Sequence, residues 1–320
     1  MALRTALQMV LQMVFELLSW MHCRPFLYSA PTRESLAKNR LAPLHKKAQP
    51  IHMELWQALI LAVIEGLTEY LPVSSTGHII LGSAILGIHE NPLVKDYTVI
   101  VQFGAILSVL VVYRERFKRA LSTVTNAKHA LLLLFVSVLP AIVIGLLFNK
   151  VIDRLLESVA TVGWTLLLGG VVLLFADRIG TTRDDTDALG LPLKTGTLIG
   201  FSQCLAMIPG ISRSGASIVG GLGLGLSRKT AAEFSFFLAV PTLTAASGYK
   251  LLKMGSLLNV ETVPIIVVGN LASFIVGILA IRSFIRFLTS HGFFWFGVYR
   301  IILGLTILTA LWMGHELKML

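Results

Sequence analysis

The sequence has few charged residues and almost no cysteine. Of its 320 residues, 14% are charged, whereas soluble domains carry about 25%. Because 55% of the residues are hydrophobic and the mean hydropathy is +0.79, the composition excludes a soluble globular enzyme. It also excludes an intrinsically disordered chain, which requires low hydrophobicity and high charge.

Cysteine and acidic residues are both scarce. Cys23 and Cys204 lie far apart and neither belongs to a CxxC pair, which excludes a disulfide framework and a thiolate zinc site. The 17 acidic residues are outnumbered by 27 Lys and Arg, for a net charge of +10. These basic residues stand singly between apolar stretches, so they do not indicate nucleic-acid binding. They are typical of loops that flank membrane spans.

Long apolar runs predict an all-α polytopic membrane protein. A helix that crosses a bilayer needs about 20 apolar residues. Six runs meet this length and predict full transmembrane helices, at residues 97–113, 129–148, 157–176, 231–249, 263–281 and 294–313.

Two further apolar regions, 54–88 and 196–226, are each broken by a short segment that begins at Pro72 and Pro209. Each half is too short to cross a bilayer alone, so each region predicts a broken re-entrant helix pair. Irregular backbone at membrane depth is tolerated only where it is buried in protein or lines a cavity. We therefore expect the two breaks to line a site.

The two breaks repeat each other at an offset of 138 residues. The matching positions are Glu65 with Gln203, Ser74 with Ser212, Thr76 with Ser214, Gly77 with Gly215, and Gly82 with Gly220. Matching interrupted helices in two halves are typical of membrane repeats with a site at their interface. Because three full spans separate the pairs, the repeat is predicted to be inverted, with halves at about 53–176 and 196–314.

The distribution of Lys and Arg predicts the orientation. With the loop at 114–128 inside, twelve basic residues are cytoplasmic: Arg114, Arg116, Lys118, Arg119, Lys128, Arg178, Arg183, Lys194, Arg228, Lys229, Arg282 and Arg286. Six are outside: Lys95, Lys150, Arg154, Lys250, Lys253 and Lys318. This bias follows the positive-inside rule, and it places the opening of the first broken pair on the exterior side.

Residues 1–52 do not fit this scheme. They carry seven basic and two acidic residues, and the six Lys and Arg of the linker at 23–51 would oppose the charge rule on the exterior side. Met53 stands where the first broken helix begins, so we expect a mis-set start codon ahead of an integral membrane domain at 53–320. A targeting segment is the alternative, although no small-residue cleavage site closely follows the apolar stretch.

Chemically active residues concentrate at the first break. Glu65 and Glu69 are four residues apart, which places both carboxylates on one helix face, where they predict a bound cation or a shared proton. A buried structural pair is the alternative. Ser74, Ser75, Thr76 and Gly77, with His78, begin the returning half-helix, whose N-terminus suits an anion. A simple N-cap cluster is the alternative there.

At the second break, Arg213 lies between Ser212 and Ser214. Its planar guanidinium suits the oxygens of a phosphate, although a salt bridge to Glu65 or Glu69 is the alternative. Three further charged residues are weaker site candidates, Arg228 and Glu233 at the cytoplasmic edge and Arg300 within the last span, and for them we favour structural ion pairs.

Two long motifs carry a family resemblance. They are Glu-Gly-Leu-Thr-Glu-Tyr-Leu-Pro-Val-Ser-Ser-Thr-Gly-His at 65–78 and Pro-Gly-Ile-Ser-Arg-Ser-Gly-Ala-Ser at 209–217. Both resemble the signature motifs of the bacterial undecaprenyl-diphosphate phosphatases, the bacitracin-resistance family, as does the segment at 233–241. Ser217 stands where that family usually has Thr, which keeps the hydroxyl.

The resemblance implies a multi-pass enzyme of the bacterial plasma (inner) membrane. Such an enzyme hydrolyses a lipid diphosphate to the monophosphate carrier used for peptidoglycan, with a divalent cation (Mg²⁺ or Ca²⁺) that we expect Glu65 and Glu69 to hold. We expect the catalytic residues to be Glu65, Glu69, Ser75, His78 and Arg213, and the substrate-binding residues to be Ser74, Thr76, Ser212, Ser214, Ser217 and Arg228.

Two questions of mechanism stay open at this point. The nucleophile is either Ser75 activated by His78, which we favour, or a water activated by Glu69 or the metal. An inverted-repeat transporter or lipid flippase is the alternative function, and it would need no nucleophile. A homodimer is a further expectation.

Overall fold

The computed structural model describes residues 53–179, 187–255, 258–315 and 317. The predicted extension at 1–52 lies outside the described residues. Within them the chain forms twelve α-helices and no strand: α1 (Leu55–Thr68), α2 (Ser75–Ile85), α3 (Pro92–Val112), α4 (Arg114–Ala120), α5 (Val124–Leu147), α6 (Asn149–Leu156), α7 (Val159–Ala176), α8 (Leu193–Gln203), α9 (Arg213–Gly223), α10 (Arg228–Met254), α11 (Thr262–His291) and α12 (Phe294–Trp312). Two 3₁₀ turns lie at Ala188–Gly190 and Cys204–Met207.

Five helices of the described chain are long and apolar enough to cross a membrane, namely α3, α5, α7, α11 and α12. The all-α polytopic fold is therefore confirmed. The sixth predicted span lies in α10, which has 27 residues and is long enough to cross at 1.5 Å per residue, but it is not one of these five apolar helices. Every residue from 230 to 239 is buried, so the first part of α10 is surrounded by protein, whereas its second part is more exposed.

The helix boundaries reproduce the repeat found in the sequence. At the offset of 138 residues, α2 matches α9 residue for residue, and α1 and α8 begin at matching positions. Both returning half-helices are preceded by a serine with left-handed backbone, Ser74 with φ of 66° and Ser212 with φ of 76°. They are the non-glycine residues with positive φ in the described chain. The resemblance of the two breaks is therefore structural as well as sequential.

The two halves interlock. The first re-entrant pair packs through α1 against α11 of the second half, and the second pair packs through α8 against α5 of the first half. The helices α7 and α12 pack closely against each other at glycines, since a Cβ on Gly170 would lie 2.8 Å from the Gly297 carbonyl oxygen.

Candidate active site

Arg300 on α12 ties the two breaks together. Its Nη1 donates to the carbonyl oxygens of Pro72 (3.2 Å) and Ile211 (2.8 Å), and its Nη2 donates to that of Gly210 (3.0 Å). Further bonds reach the α7 carbonyls of Thr165 and Leu166. The residue is 1% exposed, so one guanidinium satisfies loop carbonyls that lipid could not. The sequence favours an ion pair here, whereas these five partners are all carbonyl oxygens.

The hydroxyls of the second break reinforce this connection. Ser214 Oγ donates to the Leu71 carbonyl oxygen at 2.9 Å and lies 3.0 Å from Ser212 Oγ. Ser212 Oγ in turn accepts from the Gly215 N–H at the start of α9. The left-handed Ser212 is thus held by a network of hydroxyls, as strained backbone at functional sites usually is. The N-termini of α2 and α9 consequently lie beside one another.

Glu69 joins the two halves of the repeat at the centre of the site. Its Oε1 accepts a 2.9 Å hydrogen bond from Arg213 Nη2, and its Oε2 accepts a 2.9 Å bond from Ser75 Oγ. The carboxylate, guanidinium and hydroxyl expected to do the chemistry are therefore in direct contact. The salt bridge that the sequence left open as an alternative for Arg213 is present, and it is made to Glu69.

Arg213 keeps one donor without a partner. Its Nη1 donates to the Ser235 carbonyl oxygen at 2.8 Å, and its guanidinium lies 5.8 Å above the centre of the Tyr70 ring. Its Nε is buried and has no hydrogen-bond partner among the described residues. A buried donor left unsatisfied costs about 1–3 kcal/mol. The Nε–H of Arg213 is therefore available to donate a hydrogen bond to an oxygen atom of a bound ligand.

The two carboxylates predicted to hold a cation are both buried, Glu65 at 1% and Glu69 at 7% exposure. They lie one helical turn apart, since the Glu69 N–H donates to the Glu65 carbonyl oxygen at 2.9 Å, and Gln102 Nε2 donates to Glu65 Oε1 at 3.1 Å. No group of three or more His, Cys, Asp or Glu side chains suited to a metal occurs in the described chain. Two carboxylates alone fit Mg²⁺ only when substrate phosphates complete the coordination, which is the common arrangement for this ion.

The structure places His78 away from the Ser75 hydroxyl. Its Nδ1 is 2.8 Å from the Ser74 carbonyl oxygen and its Nε2 is 2.6 Å from the Tyr299 hydroxyl. Both ring nitrogens are therefore occupied, and the partner of Ser75 is Glu69. The sequence expectation that His78 activates Ser75 disagrees with these contacts, because adjacency along a helix does not fix the direction in which two side chains point.

Three other predicted residues differ in their placement. Thr76 is exposed at the first turn of α2. Ser217 Oγ is buried and bonds to the Arg213 carbonyl oxygen and to Ser235 Oγ, both at 2.8 Å, so it holds the start of α9. Arg228 pairs with Asp177 at 2.7 Å, and none of the described contacts brings it to Glu69 or Arg213. Its partner agrees with the ion-pair role rather than with substrate binding.

Three residues of the site were not identified from the sequence. Ser235, whose carbonyl oxygen accepts a hydrogen bond from Arg213, lies inside the third motif at 233–241. Gln102, which holds Glu65, is a polar residue within an otherwise apolar span and could have been singled out for that reason. Tyr299, which holds His78, carries no signal beyond its place next to Arg300.

The sequence is similar to one family of known proteins. Residues 58–306 match the model of the family described as bacitracin resistance protein BacA. An undecaprenyl-diphosphatase of Bdellovibrio bacteriovorus is 44% identical over 274 residues, which are 83% of this chain and 100% of that protein. One of Flavobacterium psychrophilum is 46% identical over 271 residues, 84% of this chain and 100% of that protein. One of Porphyromonas gingivalis is 44% identical over 83% of this chain and 99% of its own length.

Proposed function

Because the chain belongs to the bacitracin resistance protein BacA family, we infer that it hydrolyses undecaprenyl diphosphate to undecaprenyl phosphate and inorganic phosphate. This reaction returns the lipid carrier to peptidoglycan synthesis and underlies resistance to bacitracin. The observation that supports it best is the contact of Glu69 with both Arg213 and Ser75, with the Nε of Arg213 left free. A carboxylate, a hydroxyl and an unsatisfied guanidinium donor in one buried place suit phosphoryl transfer.

Arg213 and the two helix N-termini bind the diphosphate in this proposal. Phosphoryl transfer requires mainly positioning and neutralisation of charge. Arg213 would donate from Nε to a phosphate oxygen, while the N-terminal amides of α2 and α9 add further donors with favourable dipoles. Only 12% of the Arg213 side chain is exposed, and this low exposure strengthens its interaction with an anion.

Ser75 is the nucleophile that the geometry favours. Its Oγ would attack the terminal phosphorus and pass its proton to Glu69, while the bond from that phosphorus to the bridging oxygen breaks and undecaprenyl phosphate leaves. Water would then attack the phosphoserine, releasing phosphate and restoring Ser75. Direct attack by water is the alternative, with Glu69 as its hydrogen-bond acceptor.

We propose that a divalent cation, Mg²⁺ or Ca²⁺, takes part. Glu65 and Glu69 would hold it, and phosphate oxygens of the substrate would complete its coordination. When bound, it would neutralise charge on the diphosphate. Arg213 contacts Glu69, so the two carboxylates have one positive charge beside them whether or not a cation is bound.

A transporter function is not favoured. A transporter of the inverted-repeat type would also bind substrate at the repeat interface, but it has no use for a serine hydroxyl that donates to a buried carboxylate. The homodimer stays a prediction. Gel filtration with light scattering in detergent would decide it, and a protein mass near 34.9 kDa after correction for detergent would contradict it.

Phosphate release by purified protein tests the function. We expect the detergent-solubilised enzyme to release one phosphate per undecaprenyl diphosphate, to stop after addition of a chelator and to recover on addition of Mg²⁺ or Ca²⁺. Undecaprenyl phosphate is the control substrate and should yield none. Absence of release with the cation present would contradict the proposed activity, whereas full activity in chelator would contradict only the cation.

We propose that the protein lies in the bacterial inner membrane with the opening beside Ser75 on the exterior. The support is the excess of Lys and Arg in the loops on the other side. A cysteine introduced at His89, in a variant lacking Cys23 and Cys204, should react with an impermeant thiol reagent in intact cells. A cysteine introduced at Thr125 is the control and should react only after lysis. The opposite pattern would reverse the orientation.

A further inference from the structure

The Tyr299 hydroxyl contacts His78 in the interior of the bundle. The two side chains come from α12 and α2, and their rings stack with centroids 5.6 Å apart and planes 12° apart. Tyr299 is 5% exposed and His78 is 1% exposed. The hydroxyl lies 2.6 Å from Nε2, so the pair is a buried polar contact between the two halves of the repeat.

The partners of His78 determine its tautomer. Nδ1 faces the Ser74 carbonyl oxygen at 2.8 Å, and a carbonyl can only accept, so Nδ1 carries the hydrogen. In the neutral ring Nε2 is then an acceptor, and the Tyr299 hydroxyl must donate to it. No lone pair of the imidazole remains for Ser75, whose hydroxyl donates to Glu69.

The Ser74 carbonyl belongs to the strained residue just before Ser75. Ser74 has a φ of 66° and makes no side-chain capping bond. Its counterpart Ser212 has a φ of 76° and caps Gly215 with its own hydroxyl. The position that corresponds to His78 in the second half is Ala216, so the bond from the imidazole to the Ser74 carbonyl oxygen has no counterpart at the start of α9.

We propose that Tyr299 is a positioning residue that acts through His78. Its hydroxyl donates to Nε2 and orients the imidazole, so that Nδ1–H holds the Ser74 carbonyl and the Ser75 hydroxyl is directed toward Glu69. His78 therefore supports backbone and does not accept the proton of Ser75. This inference rests on the proposed phosphatase function.

Amide substitutions at His78 separate the two roles. The side-chain amide of Asn can occupy the place of Nδ1 and donate to the Ser74 carbonyl, whereas that of Gln reaches the place of Nε2; neither is a base. If His78 positions Ser74, His78→Asn should retain kcat within about tenfold of wild type, whereas His78→Gln and His78→Ala should lose about 100-fold, the cost of a misplaced reacting group. If His78 were the base, all three variants should be equally impaired.

Tyr299→Phe tests the contribution of the hydroxyl. We expect kcat for undecaprenyl diphosphate to fall by up to about tenfold, as for loss of one hydrogen bond, with KM unchanged because Arg213 is untouched. In the His78→Asn background the same change should have no effect, since Asn does not reach Tyr299. Tyr97→Phe is the matched control, because this buried hydroxyl donates to the Ala58 carbonyl oxygen at 2.7 Å, away from the site.

The outcomes distinguish this proposal from the proposed function. With an active wild type, two results would overturn the positioning role. One is an equal loss of activity in His78→Asn and His78→Ala, and the other is a Tyr299→Phe variant as active as Tyr97→Phe. Retained folding is checked by gel filtration of each variant in detergent. A wild type that releases no phosphate would instead overturn the phosphatase function.

Discussion

Replacement of Arg213 by alanine is expected to abolish nearly all phosphate release, by about 1000-fold or more in kcat, since removal of a single well-aimed donor from such a site costs about 100- to 1000-fold. Two effects add here. The diphosphate loses the guanidinium that binds it, and Glu69 loses its 2.9 Å partner while Glu65 stays one helical turn away. Breaking a buried ion pair on one side leaves an uncompensated charge.

Arg213→Lys is the informative second variant. Lysine restores the charge but not the planar fork, which here donates to Glu69 and Ser235 and leaves Nε for the ligand. We therefore expect an intermediate activity, well below wild type and above Arg213→Ala. The control is Lys250→Ala, which removes a partly exposed pair with Asp96 and should leave kcat unchanged. The kcat of each variant is measured from steady-state phosphate release. Wild-type activity in Arg213→Lys would contradict the role assigned to Arg213.

Replacement of Arg300 by leucine is expected to reduce both stability and activity. The five carbonyl oxygens that it satisfies belong to both breaks and to α7, and each buried acceptor left without a donor costs about 1–3 kcal/mol. We expect the unfolding temperature in detergent to fall by about 5 °C or more. Activity should fall with it, because Pro72 and Ile211 are two or three residues from Ser75 and Arg213.

Thermal unfolding monitored by gel filtration measures this effect. Arg114→Leu is the control, because its pair with Glu115 is exposed and such pairs contribute about 0–1 kcal/mol. Arg300→Lys should be intermediate, since an ammonium has three donors and cannot reach five carbonyls. An Arg300→Leu protein with the unfolding temperature and kcat of wild type would show that Arg300 does not hold the loops.

The architecture was largely predictable because membrane spans and helix breaks are local features. Pro72 and Pro209 interrupt apolar runs, and a broken helix in lipid needs a protein environment, so a site at two facing breaks follows from the sequence. The helix α10 lies where the run at 231–249 predicts a span, but it is not one of the five apolar helices, and its residues 230–239 are surrounded by protein. A highly apolar surface indicates contact with lipid, and the part of a helix that is surrounded by protein does not require such a surface.

The contacts inside the site were less predictable, because they join residues far apart in the chain. Arg213 was expected near the carboxylates, but nothing in its own segment selects Glu69 over Glu65. His78 was expected beside the hydroxyl of Ser75, yet Tyr299, 221 residues away in sequence, defines its orientation. Arg300 was expected in an ion pair, and only the folded loops supply its carbonyl partners.

The most direct test of the central claim is a single-turnover rapid-quench experiment with undecaprenyl diphosphate labelled on its terminal phosphate. The contact between Ser75 and Glu69 predicts that label appears first on Ser75 and then as free phosphate, and that Ser75→Ala yields neither the adduct nor product at the wild-type rate. Full product yield in one turnover with no label ever on Ser75 would contradict attack by this hydroxyl.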